Sequence, residues 1–248
     1  MRIKIDFISQ SKYGIRLPLH YNYLLQGFIY KNLSRHLARF IHNQGYQYEK
    51  RRFRFFTFSR LLGKFRIDRD WIIYPKICTL WIASPIIKIL ESFAGSLARE
   101  GCIQLGDNLC EVTSIEVPFT KKYEKEIEIR TLSPITVYST LLTPDRKKKT
   151  YYYSPFEPEF SKLILQNLIK KYLALHPDKK DNLQVFSITP RWVSKKNEHI
   201  IYYKKTIIKA WSGIYRIKGS QGLLELAFDS GLGSKNSQGF GMIEEYKN

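Results

Sequence analysis

The chain has 248 residues, 44% of them hydrophobic, with 41 Lys+Arg against 22 Asp+Glu for a formal net charge of +19. That length and apolar content suffice for one large or two small cores. The charge points to a polyanionic partner, with nucleic acid foremost. A membrane-spanning helix is excluded, because the most apolar stretch, Trp71 to Leu90, is interrupted by Pro75, Lys76, Pro85 and Lys88. The opening M-R-I-K-I-D-F-I has no signal-peptide core, and Cys78, Cys102 and Cys110 lack C-x-x-C spacing. These features predict reduced thiols in a cytoplasmic protein, with no cofactor and no metal site.

Residues 2–9 alternate in polarity and predict a first strand. From Tyr21 to about Ile41, Leu25, Phe28, Ile29, Leu33, Leu37 and Phe40 recur at helical spacing. Phe53–Ser59, Trp71–Ile73 and Ile77–Ala83 are aromatic or β-branched and strand-like. Pro85 opens a helix from Ile86 to Arg99 that Gly101 ends, and Cys110–Val117 closes the half as a strand. Residues 118–126 are polar and charged and make a junction. Strands then fall at Ile127–Thr131 and Ile135–Tyr138, followed by a helix from Pro158 to Leu173 with Phe160, Leu163, Ile164, Leu168 and Tyr172 on one face. Strands at Leu183–Val193 and Ile200–Ile217, a short helix at Gln221–Phe228 and a last strand at Met242–Tyr246 complete the chain. The expected fold is α+β: two tandem ferredoxin-like βαββαβ domains, 1–120 and 121–248, with a C-terminal glycine-rich loop.

That loop reads S-G-L-G-S-K-N-S-Q-G-F-G-M over Ser230–Met242. Glycine has no Cβ and tolerates positive φ, so such a loop can lay its amides against phosphate. A glycine-rich connection would account for the composition equally well. The order helix, loop, strand is the reverse of a P-loop or dinucleotide fingerprint, and no G-K-[ST] follows. Elsewhere, R-K-K-K at 146–149 precedes Y-Y-Y at 151–153, Arg191 adjoins Trp192, and Lys204 adjoins Lys205. Each pairing suits base stacking beside phosphate contacts, and each also suits a solvated basic stretch next to a strand.

Four segments, P-L-H-Y-N-Y-L-L-Q-G-F-I-Y from Pro18, F-F-T-F-S at 55–59, T-L-S-P-I-T-V at 131–137 and G-L-G-S-K-N-S-Q-G-F-G-M from Gly231, occur in order across the chain. Together they resemble the CRISPR-associated endoribonucleases that process precursor CRISPR RNA, within the wider group of repeat-associated RNA-binding proteins. The resemblance implies tandem ferredoxin-like domains and metal-independent cleavage of repeat RNA that leaves 5′-hydroxyl and 2′,3′-cyclic phosphate ends. It implies a catalytic Tyr30 in Q-G-F-I-Y, a His42 in F-I-H, and a basic residue before F-F-T-F-S, here Arg54 where the family more often has lysine. It also places Gly231, Gly233, Lys235, Asn236, Ser237, Gly239, Gly241 and Arg52 at the RNA. The expected partners are CRISPR repeat RNA and a CRISPR effector complex, with monomer and homodimer both open.

The chemistry accepts these residues. Histidine moves protons near neutral pH, tyrosine offers a hydroxyl, and arginine stabilises charge without shuttling protons. Tyr30 and His42 are 12 residues apart. On one straight helix they would sit ~18 Å apart, so the helix must break, with Ser34 a candidate cap for a second segment. Of the remaining histidines, His36 falls near the apolar face, His20 precedes the helix, and His176 and His199 lie at expected loop positions. Two rival functions share these features: a non-catalytic RNA-binding subunit of an effector complex, and a basic DNA-binding protein.

Overall fold

The computed structural model describes residues 1–119, 122–142, 144–178 and 186–247. The first half runs β1 (Arg2–Ser9), β2 (Ile15–Pro18), α1 (Asn22–Lys31), α2 (Arg35–Asn43), β3 (Tyr46–Tyr48), β4 (Arg51–Phe53) and β5 (Thr57–Phe58). It continues through β6 (Arg66–Asp68), β7 (Trp71–Tyr74), β8 (Cys78–Ala83), α3 (Ile87–Glu100), β9 (Cys102–Leu105) and β10 (Asn108–Glu116). The second half runs β11 (Glu126–Thr131), β12 (Tyr138–Leu142), β13 (Lys148–Tyr152), α4 (Pro158–Leu175), β14 (Phe186–Trp192) and β15 (Glu198–Tyr203). Then come β16 (Thr206–Trp211), β17 (Ile214–Gly219), α5 (Gln221–Ser230) and β18 (Ile243–Glu245).

The main sheets have the orders β5-β8-β1-β10-β9 and β14-β17-β11-β18, antiparallel throughout. With the appended β9 set aside, each reads second, third, first, fourth strand of a βαββαβ unit. The chain is therefore two tandem ferredoxin-like folds. In β1, Ile3, Ile5 and Phe7 alternate inward to meet Phe28 and Ile29 of α1 and Leu90, Phe93 and Leu97 of α3. In the second unit, Phe160, Ile164 and Leu168 recur every four residues along α4 and pack with Leu223, Leu224 and Ala227 of α5. The halves are tied together by Arg2, which donates to the carbonyls of Phe228 (3.0 Å) and Ile243 (3.2 Å), and by Thr57 Oγ1, which donates to Phe240 O at 3.1 Å. Among the described residues, no helix is long and apolar enough to cross a membrane.

The structure corrects several local expectations. Phe53–Ser59 is not one strand: Phe55 takes φ 52°, and its carbonyl accepts a hydrogen bond from Ser84 Oγ at 2.6 Å, which separates β4 from β5. Ile135–Tyr138 is a single bridge from Ile135 to Trp211, and the strand proper begins at Tyr138 in a hairpin with β13. Ile200–Ile217 is three strands, turned at Lys204 (φ 52°) and Gly213 (φ 132°). Residues 183–185 of the expected Leu183–Val193 strand and the junction at 120–121 lie outside the described residues. A small sheet, β2-β7-β6, pairs the expected strand at Trp71–Ile73 with β2 and β6, two short segments that the periodicity did not reveal. His36 is exposed rather than structural, and His199 lies in β15, where its Nε2 is 2.8 Å from Ser212 Oγ.

Candidate active site and RNA cleft

The helical stretch after Tyr21 breaks at Asn32–Ser34. Asn32 closes the end of α1: its backbone N–H donates to Phe28 O at 3.2 Å, and its Nδ2 donates to the same carbonyl at 2.9 Å. Ser34 is extended (φ −55°, ψ 142°), and its N–H donates to Ser92 Oγ at 2.8 Å, so α3 sets where α2 begins. Ser34 thus starts α2 as expected, although its own side chain makes no capping bond. The break brings the Tyr30 and His42 rings to a centroid separation of 5.8 Å, edge to face, with Phe56 on another side of Tyr30 at 5.6 Å.

Arginines close the end of α2. Arg54 Nη2 donates to His42 O at 3.2 Å, and Arg52 Nη1 donates to Asn43 O at 3.1 Å. Cations are favoured there because the last helical carbonyls carry partial negative charge. Burial raises the Tyr30 hydroxyl pKa above its ordinary value, and the charge and hydrogen bond of Arg54 partly offset this. His42 is exposed, and its Nδ1 lies 2.8 Å from Asn43 Oδ1. When Nδ1 carries the proton and donates it to Asn43, the lone pair on Nε2 is left for chemistry.

The opposite wall is the glycine loop. Gly231, Gly233, Gly239 and Gly241 all have positive φ and all are buried. At Gly241 an added Cβ would lie 1.9 Å from Leu232 O, and at Gly239 it would lie 2.5 Å from the Phe58 ring. These positions are glycine because backbone and aromatic neighbours occupy the side-chain space. What reaches the surface is the half-buried run Ser234–Gln238 between them. Asn236 is the loop's internal anchor: its Nδ2 donates to Leu232 O (2.9 Å) and Phe240 O (3.0 Å). Its Oδ1 accepts from Lys171 Nζ at 2.8 Å, and the same ammonium reaches Gly231 O at 2.6 Å and Ser230 O at 3.3 Å. Lys171 is 3% exposed, and burial pushes its pKa down to about 7. Lys235 stands over the Tyr138 ring at 5.1 Å, with its pKa lowered by burial.

The two walls enclose an open cleft of about 780 Å³. Tyr30, His42 and Arg54 line one side, and Lys235, Asn236 and Ser237 the other. Lys50, Arg51 and Arg52 of the β3–β4 hairpin overhang it, and Glu49 beside them pairs with Lys170 at 2.9 Å. Among the described residues lining the cleft there is no Asp or Glu, so its field is positive. Among the described residues, no three His, Cys, Asp or Glu side chains form a metal-holding group. All the sequence-predicted residues except the four glycines therefore open onto this one cleft, and the glycines lie beneath its surface.

Two family models match consecutive parts of the chain: the N-terminal part of CRISPR-associated protein Cas6 over residues 16–116, and its C-terminal part over 116–245. The chain belongs to the Cas6 family. It is 29% identical to CRISPR-associated endoribonuclease Cas6 1 of Methanocaldococcus jannaschii, over 98% of this chain and 92% of that protein. It is 28% identical to CRISPR-associated endoribonuclease Cas6 of Pyrococcus furiosus, over 98% and 89%. A solved structure of a Cas6-related protein from Pyrococcus furiosus shares the fold, with a TM-score of 0.85 at 22% identity, covering 100% of this chain and 99% of that one.

Sequence reasoning missed three cleft residues in this Cas6-family chain. Tyr203 donates to Gln26 Oε1, and Gln26 Nε2 donates to Ser237 O at 2.6 Å, so a short relay ties α1 to the loop. Burial pushes the Tyr203 hydroxyl up to about 12. Gln26 was detectable, since it lies one turn before Tyr30 on the same helix face. Lys171 was detectable as well, being a cation set within the apolar stripe of α4.

Proposed function

We propose that this protein is an endoribonuclease that holds CRISPR repeat RNA in the cleft and cuts precursor CRISPR RNA. The observation that carries the reading is the meeting of Tyr30, His42 and Arg54 on a positive cleft whose far wall is the glycine loop. His42 Nε2 takes the proton from the 2′-hydroxyl beside the scissile phosphate. The 2′-oxygen then bonds to phosphorus, and the bond from phosphorus to the 5′-oxygen breaks. Tyr30, kept protonated by burial, supplies the proton that the departing 5′-oxygen needs. Arg54 is always charged and offsets the negative charge gathering on the phosphorane.

The products are a 2′,3′-cyclic phosphate and a 5′-hydroxyl. The nucleophile belongs to the RNA and both proton transfers to side chains, so the step is metal-independent. Residues 1–120 form the domain carrying the acid–base groups, and 121–248 the domain carrying the loop, whose Lys235, Asn236 and Ser237 face the RNA together with Arg52. The free thiols Cys78, Cys102 and Cys110 suit a reducing cytoplasm, from which the product passes to an effector complex. The test is incubation with the repeat RNA of the same genome's array in EDTA. Cleavage to a 2′,3′-cyclic end is expected, and dependence on added Mg²⁺ would overturn the mechanism.

A further inference from the structure

Beside the cleft lies a second groove of about 480 Å³, whose walls come from the Pro18–His20 turn, Tyr23 of α1, Asp70 and the β15–β16 hairpin. Its aromatic surface is open: Tyr23 is 40% and Tyr202 50% exposed, and the rings of His20 and Tyr202 lie 4.9 Å apart. Large exposed rings around a concave site are costly to leave in water unless something flat covers them. Burial and the charge of Arg60 lower the His20 pKa, so its ring is a neutral, stackable imidazole.

Two features connect this groove to the cleft. Lys204 lines both cavities from the hairpin turn, where its φ of 52° turns the chain. Alternation along β15 sends Tyr203 into the cleft and Tyr202 into the groove. Along α1, Tyr23, Gln26 and Tyr30 follow one face, which puts the backbone of Tyr23 ~10 Å along the axis from that of Tyr30. A strand whose scissile phosphate sits at Tyr30 has a neighbouring base within reach of the groove, with a phosphate between them at Lys204. Asp70 repels the backbone but accepts N–H groups from a base edge, so the groove faces a base and not a phosphate.

We propose that this groove is a nucleobase pocket: it takes one unpaired, amino-bearing base flanking the cut, stacked against Tyr202 and Tyr23, with its phosphate on Lys204 and its N–H edge toward Asp70. Uracil, which has no amino group and whose single N3–H is flanked by two carbonyl oxygens that the carboxylate repels, is disfavoured there. The proposal rests on the reading of the cleft as an RNA site, and its test measures binding, not cutting.

The probe is the array's repeat RNA, made uncleavable by a 2′-deoxy sugar at the scissile position and carrying an abasic site moved one nucleotide at a time. One position near the cut is expected to weaken binding by roughly 10- to 100-fold when abasic. That penalty should vanish in Tyr202→Ala and persist in Tyr202→Phe, with thermal midpoints unchanged. Asp70→Asn should relax the discrimination against uracil at the same position. Equal abasic penalties in wild type and Tyr202→Ala would overturn the pocket, as would a failure to bind repeat RNA at all. Tight binding with no cleavage of the unmodified RNA would sink the endonuclease reading while leaving the pocket's test intact.

Discussion

The two walls of the cleft are built on opposite principles. On the N-terminal wall, His42 is exposed, Tyr30 half-buried and Arg54 tied to carbonyls of its own neighbourhood and to the Tyr30 hydroxyl. On the C-terminal wall the glycine loop is fixed from every side: by Lys171 from α4, by Asn22 and Gln26 from α1, and by Thr57 from β5. A group that must gain and lose a proton has to stay reachable. A wall that must hold a flexible strand in register has to be rigid before the strand arrives. On the proposed mechanism one wall serves reaction and the other placement, so substitutions on each should fail differently.

The largest effect is expected on the reacting wall. His42→Ala should slow cleavage by ~10²–10⁴, the usual worth of one acid–base group. Because the side chain is exposed, the thermal midpoint and RNA affinity should hardly move. A 2′-deoxy sugar at the cut should abolish cleavage with binding retained. Single-turnover rates and affinities measured on the same preparations decide the matter, and an unaltered rate in His42→Ala would remove it from the proton path.

On the placement wall the fold itself should fail. Gly241→Ala puts a Cβ 1.9 Å from Leu232 O at φ 76°, and roughly 3 kcal/mol or more of stability should be lost. The control is Gly101→Ala, where φ is 64° but nothing lies within 4 Å of the added carbon. That variant, at φ 64° and ψ −38°, should lose only backbone strain, on the order of 1–3 kcal/mol. Denaturant midpoints that match for the two would show that space around the loop glycines is not what selects them.

Lys171 sharpens the comparison through pH. Burial brings its folded pKa to about 7, whereas the unfolded chain keeps it near the ordinary lysine value of 10.5. Between those values the unfolded chain binds the extra proton, so this site's contribution to stability rises with pH at up to ~1.4 kcal/mol per unit. Below about 7 the ammonium is charged in both states and the slope disappears. The neutral amine has two N–H groups for three acceptors, so the loop gains stability but loses one tie. Lys171→Met should flatten the pH dependence of the denaturation midpoint between pH 7 and 9 relative to wild type. The same slope in both proteins would mean that Lys171 is not the titrating group.

Both units of the fold were legible because their helices and strands carry apolar residues at periods of 3.6 and 2, as in α4 and β1. The turn at Lys204 within Ile200–Ile217 was not, since that residue takes positive φ without a glycine to mark it, whereas the turn at Gly213 carried its glycine and was overlooked. Of the candidate site, Tyr30, His42 and Arg54 came from the family resemblance, and the structure brings all three to one cleft. The loop glycines were visible as glycines, but their reason, backbone and ring packing from β5 and the 131–137 segment, is a long-range contact that local sequence does not encode. Tyr203 was missed for the same cause: its partner, Gln26, is one that only the folded chain supplies.

The smallest effect separates charge from shape at Arg54. Arg54→Ala removes both and should cut the rate by roughly 10–100-fold, the order expected when one charged contact to the reacting phosphate is lost. Arg54→Lys keeps the charge. However, the guanidinium reaches His42 O and Arg52 O through two nitrogens, and an ammonium is a single point that cannot reproduce that fork. If charge on the phosphorane is what matters, the lysine variant should stay within about 10-fold of wild type, with affinity unchanged. If holding the end of α2 matters more, lysine should behave like alanine, and hydrogen exchange at His42 and Asn43 should quicken in both variants. An alanine variant with an unaltered rate and normal protection of α2 would fit neither role and would take Arg54 out of the site.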